Sequence, residues 1–100
     1  MKNKYSSIII GAGPAGLTAS IYASRYKIDH LVIGQALGGL AFEAREICNF
    51  PTEEKISGME LIKKIQKHAE SLDANILIDK VARIKKKDDQ FEIITDANKK

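Results

Sequence analysis

Three features of this sequence predict an α/β fold, in which parallel strands joined by crossover helices are followed by an antiparallel hairpin. Ile8-Ile9-Ile10 is a short β-branched run stopped by Gly11, the signature of a strand buried on both faces of a parallel sheet. A helical pattern opens at Pro14, and a second apolar run, Leu31 to Ile33, again ends on a glycine, Gly34. Beyond Ile78 the helix-linked spacing gives way to two close runs, Val81 to Lys86 and Phe91 to Thr95, joined through Lys87-Asp88-Asp89-Gln90.

Taken in order, the first strand runs from Tyr5 to Ile10. Pro14 suits the first turn of the helix that follows, where its missing N–H leaves nothing unsatisfied. Ala15, Ala19 and Ala23 recur every four residues beside Gly16, and such a row of small side chains lets a helix lie close to a sheet. Tyr5 to Ile33 therefore has the order strand, tight turn, helix, strand of a βαβ unit. Gly34 to Ile56 is weakly periodic and holds Gly38-Gly39 and Pro51; loops of this length in compact domains are usually functional. Ser57-Gly58-Met59-Glu60 reads as a capping box. The helix it opens places Ile62, Ile65, Ala69 and Leu72 on one face, with Lys63, Lys64 and Lys67 mainly opposite. Asn75 to Ile78 is a third strand, and in the last one Phe91, Ile93 and Thr95 share a face.

The 100 residues suffice for one small domain or a piece of a larger one. At 44% apolar and 29% charged they have enough Ile, Leu, Val and Phe for a core. No apolar run approaches the roughly 20 residues of a membrane helix. Lys2 and Lys4 before the Ile run imitate an export signal, but Gly11 and Gly13-Pro14 break its apolar stretch too early. With Cys48 as the single cysteine no internal disulfide forms, which favours a reducing, cytoplasmic setting. The net charge of +3 resides in Lys85-Lys86-Lys87 and Lys99-Lys100, read as a solvated turn and a chain end rather than a nucleic-acid face. His30 and His68 show no metal-ligand spacing and are expected to be structural or solvated, like the acidic loop patch Glu43, Glu46, Glu53 and Glu54. No G-x-S-x-G elbow is present.

The chemistry concentrates in Gly11-Ala12-Gly13-Pro14-Ala15-Gly16, a G-x-G-x-x-G that directly follows a strand and opens a helix. Gly11 permits the tight turn, Gly13 leaves the backbone open to a pyrophosphate, and Gly16 lets helix and strand approach. The helix N-terminus offers free N–H groups and a partial positive charge to the phosphates. The acidic residue that commonly accepts from an adenosine ribose at the end of the second strand is missing. Gly34, Gln35 and Ala36 occupy that place, and Gln35 can offer only a neutral hydrogen bond.

These residues, with Gly38-Gly39 after the second strand and Asn49-Phe50-Pro51 further on, resemble the FAD-binding start of the thioredoxin reductase family. That group includes ferredoxin–NADP reductases and other small pyridine nucleotide-disulfide oxidoreductase-like flavoproteins. The resemblance runs over essentially the whole chain and implies a Rossmann-like three-layer FAD-binding fold in partial form. It implies that Gly11, Ala12, Gly13, Pro14 and Ala15 wrap the FAD pyrophosphate, with Gly16 behind them, and that Gly34 and Gln35 lie by the adenosine ribose. It further implies that Gly39 and Leu40 approach the flavin half, that Asn49 lies near the flavin, and that Val81 meets the adenine through its backbone. Two positions depart from the family pattern: Leu40 replaces a frequent Gln, and Thr52 a frequent Gly.

Family subunits are several times longer, so the resemblance makes residues 1–100 a single partial FAD-binding domain, the family's NADPH domain and C-terminal FAD strands being absent. The implied activity of a complete enzyme is hydride transfer from NADPH or NADH to FAD, then to a disulfide or another acceptor. Its implied partner is a thioredoxin-like or ferredoxin-like redox protein, and its implied assembly a homodimer, with no nucleic acid or membrane involved. The 100-residue chain alone is not expected to turn over. No residue here is assigned as a catalytic acid, base or nucleophile, and Cys48 does not stand in for the family's Cys-x-x-Cys. Two other readings stay open: a truncated, non-enzymatic nucleotide-binding fragment, and an NAD-binding dehydrogenase domain.

Overall fold

The computed structural model describes residues 3–96, leaving aside the side chains of Leu40 and Ala41. The elements follow in the order β1 (Ser7–Ile10), α1 (Pro14–Arg25), β2 (His30–Gly34), α2 (Gly39–Phe42), α3 (Gly58–Ser71), β3 (Ile76–Ile78), β4 (Val81–Lys87) and β5 (Gln90–Thr95). β1, β2 and β3 form a parallel sheet in that spatial order, with Ile9 opposite Val32 and Val32 opposite Ile76. β4 and β5 form a separate antiparallel pair, with a register shift between Val81 and Arg83. The expectation of a partial Rossmann-like α/β fold with a hairpin is met. Lys99 and Lys100 lie outside the described residues.

Both crossovers step the same way across the sheet, so right-handed connections put α1 and α3 on one face, where they pack together. Central β2 is buried along its whole length, and Val32 is fully enclosed. β1 differs from its sequence pattern. Ile8-Ile9-Ile10 reads as buried on both faces, yet β1 is an outer strand among the described residues and Ile10 is 50% exposed. A strand's neighbours, and not its composition, decide how much of it is covered.

The face of α1 that meets the sheet is also not the predicted one. Ala15 and Ala19 are exposed, while Leu17 and Ser20 are fully buried. Gly16 sets this rotation, because a Cβ there would collide with the Gly11 carbonyl oxygen and lie 3.5 Å from Ile9 Cγ2. Ser20 in turn reaches His30 at the start of β2. The imidazole Nδ1 donates to the Ile28 carbonyl at 2.9 Å, which leaves Nε2 to accept from Ser20 Oγ at 2.7 Å. His30 is thus a structural histidine, as expected, and His68 is exposed.

Ser57 caps α3 as expected, but Glu60 reaches back to the Ser57 hydroxyl and not to its backbone N–H, so the capping box forms only in part. Glu60 N–H donates to Ser57 Oγ at 3.1 Å, and the Ser57 hydroxyl donates to the Glu60 carboxylate at 3.1 Å. Buried Leu61, Ile62 and Ala69 line the inner face of α3. Both long helices end in Schellman motifs without glycine. Ile28 N–H donates to Ala23 and Lys27 N–H to Ser24, while Ala74 N–H donates to Ala69 and Asp73 N–H to Glu70. Lys27 (φ 58°) and Asp73 (φ 64°) take the left-handed position.

Candidate functional site

The carboxyl ends of the parallel strands converge on the glycine turn. Gly11 N–H donates to the Ile33 carbonyl at 2.7 Å, tying the end of β1 to that of β2. Asp79 N–H donates to Gly34 O at 2.8 Å and carries the chain from β3 toward Val81 along the same end. This edge, where strands end and a helix begins, is where open parallel sheets bind their ligands.

The three glycines of the turn are glycine for three separable reasons. Gly11 has φ +120°, a conformation L side chains rarely adopt, though the space beside it is open. Gly16 is required by packing against the Gly11 carbonyl. Gly13 is required by neither: its φ is −82°, and a Cβ there would meet only the Gly38 carbonyl, its O and C at an ordinary 3.7 and 3.9 Å. Nothing among the described residues needs position 13 to be bare, so the free space there is available to a ligand.

What faces that space is suited to an anion. Gly13 occupies the N-cap of α1 without any side-chain cap, and the first turn holds no acidic residue. Pro14 sits at the first helical position and removes one orphan donor. The N–H groups of Ala12 and Gly13 have no acceptor among the described residues, and those of Ala15 and Gly16 start the helix without intrahelical acceptors. Among the described residues no group answers these donors, and the helix dipole favours an anion at this end.

Gly34 proves to be a packing glycine. A Cβ there would lie 2.7 Å from both the Cβ and the backbone N of Ala12. Gln35 follows it, exposed, at the end of β2. Gly39 (φ 55°) begins α2 with open space beside its Cα, and Leu40 follows on that helix. Asn49 is exposed in the 43–56 loop, and among the described residues no hydrogen bond joins it to the glycine turn. Val81 is half-buried at the start of β4. The structure therefore brings residues 11–16, Gly34 and the Gly38-Gly39 loop into one unit.

Gly38 was not singled out alone by the sequence, yet it closes the unit. It is buried, has φ +85°, and donates its N–H to Ala12 O at 2.6 Å. A glycine pair in a loop is its only sequence signal.

Other candidates fall away. Cys48 is exposed, and its thiol is held above its ordinary pKa, chiefly because it donates a hydrogen bond to the Glu46 carboxylate at 3.4 Å. That is the reverse of an activated nucleophile. Glu53 is not merely solvated but pairs with Lys64 at 2.7 Å. Among the described residues no cluster of His, Cys, Asp or Glu could hold a metal, and no helix is long and apolar enough to cross a membrane. A groove of ≈ 820 Å³ between α1 and α3, lined by Tyr22, Tyr26 and Phe50 among others, reaches no residue of the glycine turn.

Fold and turn together are those of a Rossmann-like α/β protein. The family described as pyridine nucleotide-disulphide oxidoreductase matches residues 5–99, and the chain belongs to it. Thioredoxin reductase from Buchnera aphidicola subsp. Acyrthosiphon pisum (strain APS) is 43% identical over 101 residues, covering 98% of this chain and 32% of its own length. A 34.2 kDa protein in the rubredoxin operon of Clostridium pasteurianum is 44% identical over 89% of this chain and 30% of its own. The crystal structure of Lactococcus lactis thioredoxin reductase (FR conformation) superposes with a TM-score of 0.88 at 36% identity, covering 93% of this chain and 31% of that one. The chain thus spans about a third of the length of the curated relatives it matches.

Proposed function

We propose that residues 1–100 form one partial FAD-binding domain of an NAD(P)H-dependent flavoprotein oxidoreductase of the thioredoxin reductase kind. The observation that carries this reading is Gly13, bare with no internal reason, beside unanswered amides at an uncapped helix N-terminus. Gly11, Ala12, Gly13, Pro14 and Ala15 would hold the pyrophosphate through backbone donors, and Gly16 and Gly34 keep the turn close to the sheet. Gln35 would offer the ribose a neutral hydrogen bond, Val81 would meet the adenine, and Gly39, Leu40 and Asn49 would lie toward the flavin. FAD supplies the redox chemistry when bound, accepting hydride from NADPH or NADH and passing electrons to a disulfide or another acceptor. A thioredoxin-like redox protein is the acceptor that the relatives' names favour.

Titration of FAD into the apo full-length protein, followed by flavin fluorescence, tests this reading. The expected result is saturation at one FAD per chain, reversed by ADP, which shares the adenosine and pyrophosphate, and not by equimolar NADH. Saturation by NADH in preference to FAD would instead make this an NAD-binding dehydrogenase domain. Saturation by neither would leave a fragment without nucleotide function.

A further inference from the structure

We infer that Ile62, on α3 and remote in sequence from the glycine turn, is a positioning residue for the pyrophosphate site, acting through Gly38. This rests on the flavin reading above and adds to it a residue that no motif contains. The Ile62 side chain is fully buried and lies directly on the bare Cα of Gly38. A Cβ at Gly38 would come within 2.7 and 2.8 Å of Ile62 Cγ1 and Cγ2. Pressed from that side, Gly38 donates its N–H to Ala12 O at 2.6 Å.

The geometry of one peptide carries the effect onward. A trans peptide points its C=O and N–H in opposite directions, and no described peptide here is cis. Holding the Ala12 carbonyl toward Gly38 therefore aims the Gly13 N–H away from the loop, out of the turn. Gly34 blocks the other escape, since Ala12 is 3% exposed and packs against it too closely for any side chain there. Ile62, Gly38, Ala12 and Gly34 form a stack that fixes the orientation of a donor the turn presents to a pyrophosphate. Without Ile62 the loop can swing, the Ala12–Gly13 peptide can rotate, and only a fraction of molecules offers the binding geometry. Apparent affinity falls by that fraction.

The test compares Ile62→Ala with Leu61→Ala in the full-length protein. Leu61 is 4% exposed on the same helix and makes a control for the cavity itself, because it lines the groove toward α1. Two readouts are taken: the FAD dissociation constant, and hydrogen exchange at the Gly38 amide in the absence of nucleotide. Ile62→Ala is expected to weaken FAD about tenfold and to speed Gly38 exchange at least about tenfold. Leu61→Ala should change neither beyond its effect on global stability, and Ile62→Val should recover most of both. Equal behaviour of the two alanine variants, or an unchanged Gly38 amide in Ile62→Ala, overturns the inference. If the wild-type protein takes up no FAD, the flavin reading fails by itself, while the Gly38 amide still decides whether Ile62 sets the turn.

Discussion

The glycine turn shows how far single residues can be read from sequence. Its spacing assigns conformation to Gly11, ligand approach to Gly13 and packing to Gly16, and the three positions differ in φ and free space accordingly. The contact between Gly38 and Ile62 was not legible, because it depends on how α3 docks and no local spacing announces it. Thr52 lies between these cases. Phe50-Pro51-Thr52-Glu53 forms a turn with Pro at its second position and Thr52 at φ 78° in its third, and Glu53 N–H donates to Phe50 O at 3.1 Å. That is the pattern of a type II turn, whose third position favours glycine. A β-branched residue there is strained, so Thr52→Gly should raise stability by about 0.5–1 kcal/mol, the relief of left-handed strain exceeding the extra entropy of glycine. A urea midpoint that falls instead of rising would show that Thr52 is held by contacts worth more than the strain.

Among the elements, existence and order were legible while the rotation of α1 and the helix ends were not. The small-residue row Ala15, Ala19, Ala23 is regular, but Gly16 fits under the Gly11 carbonyl and turns Leu17 and Ser20 to the sheet instead. Neither helix end carries the glycine that usually marks a Schellman motif; Lys27 and Asp73 adopt the left-handed geometry themselves. The start of α3 was legible because its signal is chemical as well as periodic. Ser57→Ala removes the acceptor for Glu60 N–H and should lower stability by about 1 kcal/mol. A thermal melt with Ser57→Thr alongside checks the assignment, since Thr also caps, keeps the hydroxyl donor to Glu60 and should restore most of the loss. Equal losses in both variants would mean the serine matters for something other than capping.

For the molecule as a whole, strand order is what sequence patterns leave out. Ile8-Ile9-Ile10 has the composition of an inner strand, yet β2 is the inner strand of the described sheet. The hairpin, with Ile84 51% and Phe91 66% exposed, stands as a separate layer. The Cα radius of gyration of 14.6 Å exceeds the about 13 Å of a compact chain this long. None of this moves the site, because the turn is set by β1, β2, α1 and α3, whose contacts lie within the described residues. On the function proposed above, position 13 is left bare for a pyrophosphate rather than for the fold. The most direct test of this is the FAD dissociation constant of Gly13→Ser beside wild type, with a thermal melt of each apo protein. Serine is a strong N-cap residue and the space at Gly13 admits a Cβ, so the apo protein should melt no lower than wild type. FAD affinity should nonetheless fall at least about tenfold, the scale of one hydrogen bond to a charged group. Undiminished affinity in a well-folded Gly13→Ser protein would mean that the bare position 13 serves no pyrophosphate.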